Sequence, residues 1–101
     1  MANFSSKVYE ILKTVPKGKV TTYKEIAHAL GVKSYRAVGQ ALKRNPYAPM
    51  VPCHRVISSD GTLGGFNGGT KDIPRIARLL EREGVPVRDG RIELEKYLHR
   101  F

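Results

Sequence analysis

The stretch Thr22-Tyr23-Lys24-Glu25-Ile26-Ala27-His28-Ala29-Leu30-Gly31-Val32-Lys33-Ser34-Tyr35-Arg36-Ala37-Val38-Gly39-Gln40-Ala41-Leu42-Lys43-Arg44 holds two helix starts and one helix stop. Thr22 followed three residues later by Glu25 fits a capping box, in which hydroxyl and carboxylate each satisfy a free amide at a helix start. The helix runs to Leu30 and stops at Gly31, the residue best able to take the left-handed cap. Ser34 suits the N-cap of a second helix, over 35–44, with Ala37, Val38, Ala41 and Leu42 on one face. Two short helices with Gly31 at the turn and small Ala27 one turn earlier have the shape of a helix-turn-helix. The second presents Arg36, Gln40, Lys43 and Arg44, and small Ala37 and Gly39 let its N-terminal end lie close against a duplex. An ordinary helical hairpin with a solvated charged face satisfies the same pattern.

Upstream, Phe4, Val8, Ile11, Leu12 and Val15 recur at three- and four-residue intervals and predict an amphipathic helix over 4–14, ended by Pro16-Lys17-Gly18. Downstream, Asn45-Pro46 closes the helical region, and Met50-Val51-Pro52-Cys53-His54-Arg55-Val56-Ile57 reads as extended or irregular. Half of the ten glycines then fall between 61 and 69, a loop without the Lys-Ser/Thr ending of a phosphate loop. Asp72 can cap a helix on which Ile73, Ile76, Ala77, Leu79 and Leu80 face inward, ending near Glu83-Gly84. Residues 85–87 and 91–94, with Asp89-Gly90 between them, could pair as a small hairpin. Leu94, Tyr97, Leu98 and Phe101 suit a final amphipathic turn that docks the C-terminus. The fold expected is mainly α with small β elements, a winged-helix-like helix-turn-helix domain over 1–101.

With 101 residues, 41% hydrophobic and 27% charged, the composition is that of one ordinary domain, able to hold a core without disulfides or structural metal. The lone Cys53 cannot form an internal disulfide. His28, Cys53, His54 and His99 show no metal-ligand spacing, and no export signal or membrane span is visible. A cytoplasmic monomer with no metal and no membrane partner is expected. The net charge of +9 is unevenly placed. Residues 1–55 carry ten basic side chains and two acidic ones, Glu10 and Glu25, whereas 56–101 carry eight and seven. Such a concentration points to a polyanionic partner, because each cation near a phosphate releases condensed counterions. A solubilising charge is the alternative.

Cys53 sits between Pro52 and His54, with Arg55 next. A cysteine is a nucleophile only as thiolate, and neighbouring imidazole and cationic groups lower its proton affinity or accept its proton. A lone cysteine in an apolar stretch is also common core filling. On an extended strand adjacent side chains point to opposite faces, so His54 reaches the sulfur only if the backbone turns there or a water bridges them.

Pro52-Cys53-His54-Arg55-Val56-Ile57, preceded by Arg36-Ala37-Val38-Gly39 and Asn45-Pro46, strongly resembles the active-site region of the O6-alkylguanine-DNA alkyltransferases (methylated-DNA–protein-cysteine methyltransferases). Gly18-Lys19-Val20 with Thr22-Tyr23, the glycine-rich segment around Phe66, and Leu79-Leu80 leading to Glu83-Gly84 look like further landmarks in the right order. The resemblance implies a DNA repair activity on double-stranded DNA containing O6-alkylguanine. A helix-turn-helix binds the minor groove, the damaged base is flipped out, and the cysteine takes its alkyl group in one irreversible turnover, with no cofactor. Cys53 would be the acceptor, His54 the base acting through a water, Glu83 its orienter, and Asn45 a brace of the active-site turn. Arg36 would fill the gap left by the flipped base, and Tyr23 would crowd the target phosphate. Ala37 and Gly39 would approach the duplex, and Ser59 would contact its backbone. Met50, Val51, Pro52, Phe66 and Asn67 would form the base pocket. Phe66 stands where many members have Tyr, Asn67 replaces a small hydroxyl residue, and the N-terminal domain common in the family is not seen ahead of this segment. Two rival readings remain: an alkyltransferase-like lesion sensor that binds without transfer and typically lacks the cysteine, and a winged-helix transcriptional regulator.

Overall fold

The structure is a computed structural model, and it describes residues 3–44, 51–63 and 73–101. It is mainly helical with small β elements, in the order α1 (Phe4–Leu12), β1 (Thr21–Thr22), α2 (Tyr23–Ala29), α3 (Tyr35–Lys43), a 3₁₀ turn (Cys53–Arg55), β2 (Val56–Ile57), α4 (Ile73–Arg82) and α5 (Leu94–Tyr97).

The helix starts lie where the sequence places them. Thr22 Oγ1 accepts from the Glu25 amide at 3.1 Å, which is the hydroxyl half of the capping box, and Ser34 Oγ accepts from Ala37 at 3.1 Å. Asn3 caps α1 in the same way through Ser6, at 2.9 Å. Gly31, at φ +70°, ends α2 in a Schellman motif. Its amide donates to the His28 carbonyl at 3.1 Å and the Val32 amide to that of Ala27 at 2.9 Å. Two helix-terminal carbonyls are thereby satisfied, and Val32 packs on the core below.

Two apolar clusters share the chain. The first joins α1, α2 and α3 through Val8, Leu12, Ile26, Ala27, Val38 and Ala41, with Val51 and Val56 added from the later segment. The second gathers Val20, Ile57, Leu63, Leu80, Val85 and Ile92. Between them runs a two-stranded parallel sheet, with Thr21 opposite Val56 and Thr22 opposite Ile57. Because successive strand side chains alternate, Val56 belongs to the first cluster and Ile57 to the second. This partition puts the cysteine-containing turn, which feeds directly into β2, at the seam of the molecule.

Of the segment read as extended or irregular, Cys53–Arg55 turns in a 3₁₀ helix and Val56–Ile57 is extended. Two other expectations change. The hairpin expected between 85–87 and 91–94 shrinks to one antiparallel bridge, Arg88 to Arg91. Val85 is instead committed to the end of α4, its amide bonded to Leu80, and Arg91 also bridges Thr62. Asp89 and Gly90 both take positive φ, at 52° and 72°, as a two-residue type I′ turn requires. Finally, the C-terminus docks by backbone as much as by side chains. The Val20 amide donates to Tyr97 at 2.9 Å and the His99 amide to Val20 at 2.7 Å, while Phe101 stays 43% exposed. The Asp72 cap and most of the glycine-rich stretch, 64–69, lie outside the described residues.

Tyr9 ties α1 to α3 in a way the helical spacing did not reveal, since its buried hydroxyl donates to the Ala41 carbonyl at 2.7 Å. Replacing Tyr9 with Phe leaves that buried carbonyl without this donor, at a cost of about 1 kcal/mol. Thermal unfolding of the variant is expected roughly 4–8 °C below the parent for a domain of this size. An unchanged midpoint would show that the bond contributes nothing net.

Candidate active site

The geometry around Cys53 begins with Pro52, whose φ of −82° and ψ of 72° form an inverse γ-turn. The Cys53 amide closes it on the Val51 carbonyl at 2.8 Å. The chain then tightens into the 3₁₀ turn, with Arg55 bonded back to Pro52 at 3.0 Å and Val56 to Cys53. At about three residues per turn, consecutive side chains here leave in separate directions. Cys53 is half-buried against the first cluster, His54 is buried, and Arg55 is half-buried.

Glu83 meets this turn from α4. Gly84, at φ +89°, closes the helix as a second Schellman motif, with its amide on the Glu81 carbonyl at 3.0 Å and that of Val85 on Leu80 at 2.9 Å. Leu80 and Val85 are both fully buried in the second cluster, so the apolar contact that accompanies the motif also anchors it. Glu83 is therefore the C-cap residue of an end fixed on both sides. Its Oε2 lies 3.0 Å from His54 Nε2 and accepts from Arg55 Nη2 at 2.7 Å, and its Oε1 accepts from Arg55 Nε at 2.9 Å. Arg55 Nη1 donates to the Val15 carbonyl, beyond the end of α1, at 2.9 Å. Only 9%, 15% and 12% of the His54, Arg55 and Glu83 side chains are exposed. The Arg55 hydrogen bonds, helped by those of His54, hold the Glu83 carboxyl below the usual carboxylate range against the opposing effect of burial.

The structure brings His54 and Glu83 together at 3.0 Å, with Cys53 next to His54 in the turn. Sequence reading took Arg55 only as a nearby cation and missed its bond to Glu83, 28 residues away. The one local signal was a long planar cation beside the histidine. Tyr23 opens α2 and, like Cys53, packs against the first cluster. Arg36 is exposed on the first turn of α3, with Gln40, Lys43 and Arg44 also exposed, whereas Ala37 is half-buried and Gly39 buried. Ser59 is exposed just past β2. Of the pocket residues, Val51 and Pro52 are buried, with Val51 part of the first cluster. Asn45, Met50, Phe66 and Asn67 lie outside the described residues. Among the described residues no group of three potential metal ligands occurs, and no helix is long and apolar enough to cross a membrane.

A buried histidine thus meets a carboxylate directly after a free cysteine in a tight turn. Residues 3–85 match the family model of the 6-O-methylguanine DNA methyltransferase DNA-binding domain, and the chain belongs to that family. Among its relatives is a methylated-DNA–protein-cysteine methyltransferase of Methanothermobacter thermautotrophicus, 44% identical over 84 residues, which cover 83% of this chain and 46% of that protein. A bifunctional methyltransferase/endonuclease of Picrophilus torridus is 44% identical over 93 residues, 91% of this chain and 30% of its own length. The chain therefore spans less than half of either curated relative. Two solved structures bracket it. S. pombe Atl1 in complex with damaged DNA containing O6-carboxymethylguanine matches with a TM-score of 0.87 and 35% identity over 100% of both chains. Mycobacterium tuberculosis OGT in complex with DNA matches with a TM-score of 0.72 and 44% identity over 83% of this chain and 50% of that one.

Because folding lowers the proton affinity of Glu83, the stability it contributes is present above the unfolded carboxyl value, 4.5, and is lost as pH falls through the lower folded value. A Glu83→Gln variant is thus expected to melt well below the parent at neutral pH, with the gap closing as both are acidified below that range. A gap of constant size down to about pH 3 would contradict the assignment of an ionised Glu83.

Proposed function

We propose that this chain repairs double-stranded DNA carrying O6-alkylguanine by accepting the alkyl group on its own Cys53, once per molecule. The observation that carries this reading is the Cys53–His54–Glu83 arrangement, found in a family whose curated relatives are named for protein-cysteine methyl transfer. With Nε2 of His54 facing Glu83, the neutral ring carries its proton there and leaves Nδ1 as the basic nitrogen. No direct hydrogen bond joins the Cys53 thiol to the ring among the described residues, so the proton crosses through a water. The thiolate then attacks the alkyl carbon. The S–C bond forms as the C–O6 bond breaks, the electron pair enters the guanine ring, and the proton taken from the thiol returns to the base. A stable thioether and normal guanine result, so no cofactor is consumed and no second turnover follows.

A base paired within a duplex cannot offer its O6 substituent to a half-buried sulfur, so the nucleotide has to leave the stack. Arg36 is suited to fill the gap, because the planar guanidinium stacks and is exposed on the first turn of α3. Tyr23, Ala37, Gly39 and Ser59 are assigned to the DNA side, Asn45 to bracing the turn, and Met50, Val51, Pro52, Phe66 and Asn67 to the pocket. The chain is expected to act as a monomer.

A second reading, damage binding without transfer, is favoured by the full-length match to Atl1 bound to damaged DNA. A chain that only binds has no use for a thiol beside a carboxylate-held histidine. The two separate on a duplex whose O6-methylguanine carries a labelled methyl group. The parent should move label onto protein, and Cys53→Ser should move none while keeping its preference for the lesion duplex. Lesion preference in the parent without any labelling favours the binding reading. Arg36→Ala is expected to weaken binding to the lesion duplex by about tenfold more than to an undamaged one. An equal loss on both, with a shallower salt dependence, would make Arg36 an ordinary phosphate contact.

A further inference from the structure

We propose that Arg55 is a positioning residue of this site: its guanidinium holds the Glu83 carboxylate in the one orientation that meets His54 and fastens the pair to the Val15 carbonyl. The inference rests on the transfer reading of Cys53 and adds to it a residue to which neither the relatives' names nor the motif assigns a task.

The geometry supports it at each nitrogen. Nε and Nη2 address different oxygens of Glu83, at 2.9 and 2.7 Å, so the two planar groups lie fork to fork and rotation of the carboxylate breaks one bond. The oxygen that takes Nη2 is Oε2, which also faces His54 Nε2 at 3.0 Å. Arg55 therefore selects which oxygen the imidazole sees. Nη1 is used as well, on Val15 at 2.9 Å, so the guanidinium is pinned on the side away from Glu83 and cannot follow a wandering carboxylate. Its positive charge also opposes proton uptake by Glu83, leaving that group to orient the ring while the proton stays with His54. Among the described residues, the charged or titratable side chains paired in this cluster are His54 and Arg55 on the turn and Glu83 at the end of α4.

Lysine retains the charge but has no fork, and glutamine retains neither. The test measures, on the full chain, the rate of Cys53 alkylation by iodoacetamide against pH, and methyl transfer from the lesion duplex. Arg55→Gln is expected to slow both by roughly ten- to a hundredfold at neutral pH, and to raise the Glu83 carboxyl titration read by carbon NMR. Arg55→Lys should keep the Glu83 titration low while still losing rate, a split that a merely structural role would not produce. In a Glu83→Gln background, Arg55→Gln should slow the thiol no further. Parent-like rates in Arg55→Lys, or an equal slowing in the Glu83→Gln background, overturn the proposal. Should Arg55→Gln fail to unfold cooperatively, Arg55→Lys carries the test alone, because its rate and its melting midpoint are read separately. A parent that reacts with iodoacetamide in the Arg55-dependent way yet takes no methyl from DNA overturns the transfer reading and leaves the positioning role standing.

Discussion

Glu83 caps the end of α4 in the second apolar cluster, and its carboxylate takes two hydrogen bonds from Arg55 and one contact from His54, both on the turn that leads into β2. Arg55 in turn reaches the carbonyl of Val15, which belongs to the first cluster. One ion pair thus spans the seam between the two halves of the core, and the cysteine sits beside it. Removing either partner of such a part-buried pair leaves its charge without a counterpart in a site shielded from water, which destabilises the fold. The same carboxylate that joins the halves also meets the histidine ring at 3.0 Å, so on the proposed transfer reading stability and reactivity are coupled through it. That coupling explains why the helix end is so firmly built. A frayed α4 terminus would move Glu83, and the Schellman closure at Gly84 with Leu80 and Val85 buried beneath it prevents this.

The helices were legible because their signals are local. Thr22 and Ser34 cap the helices they were expected to cap, and Gly31 stops α2 with the bonds its position called for. The seam was not legible. Thr21–Thr22 and Val56–Ile57 are strands of two residues, too short to show alternation, and they pair because the clusters on either side bring them together. The 85–87 hairpin failed for a related reason: local turn chemistry at Asp89-Gly90 was read correctly, but burial of Val85 under α4 claimed the strand proposed to pair with it. Within the site, Cys53 and His54 stand out by the chemistry of adjacent residues, whereas Glu83 enters only through the family resemblance, since nothing in spacing alone joins residues 29 apart. Arg55 went unassigned because its partners, Val15 and Glu83, are both distant in sequence.

Three of the ten basic side chains in residues 1–55 share one helix and its C-cap. Arg36, Gln40, Lys43 and Arg44 line the exposed side of α3, opposite Val38, Ala41 and Leu42, which face the first cluster. The helix that offers cations to solvent is therefore held by the same core that supports Cys53 from behind. Tyr9 adds a buried bond from α1 to the Ala41 carbonyl, so the outer face of α3 rests on a fixed backbone rather than on side-chain packing alone. The exposed cationic face of α3 and Cys53 thus rest on one apolar cluster, in a chain that belongs to the family of the 6-O-methylguanine DNA methyltransferase DNA-binding domain.

The central claim is that the thiol at this seam is a reactant and not a packing residue. Intact mass spectrometry after mixing the protein with a duplex bearing one O6-methylguanine, followed by peptide mapping and analysis of the recovered DNA, tests it most directly. One added methyl group per chain is expected, located on Cys53, with guanine restored in the duplex in equal amount. An unmodified Cys53 in protein that holds the lesion duplex tightly would contradict it.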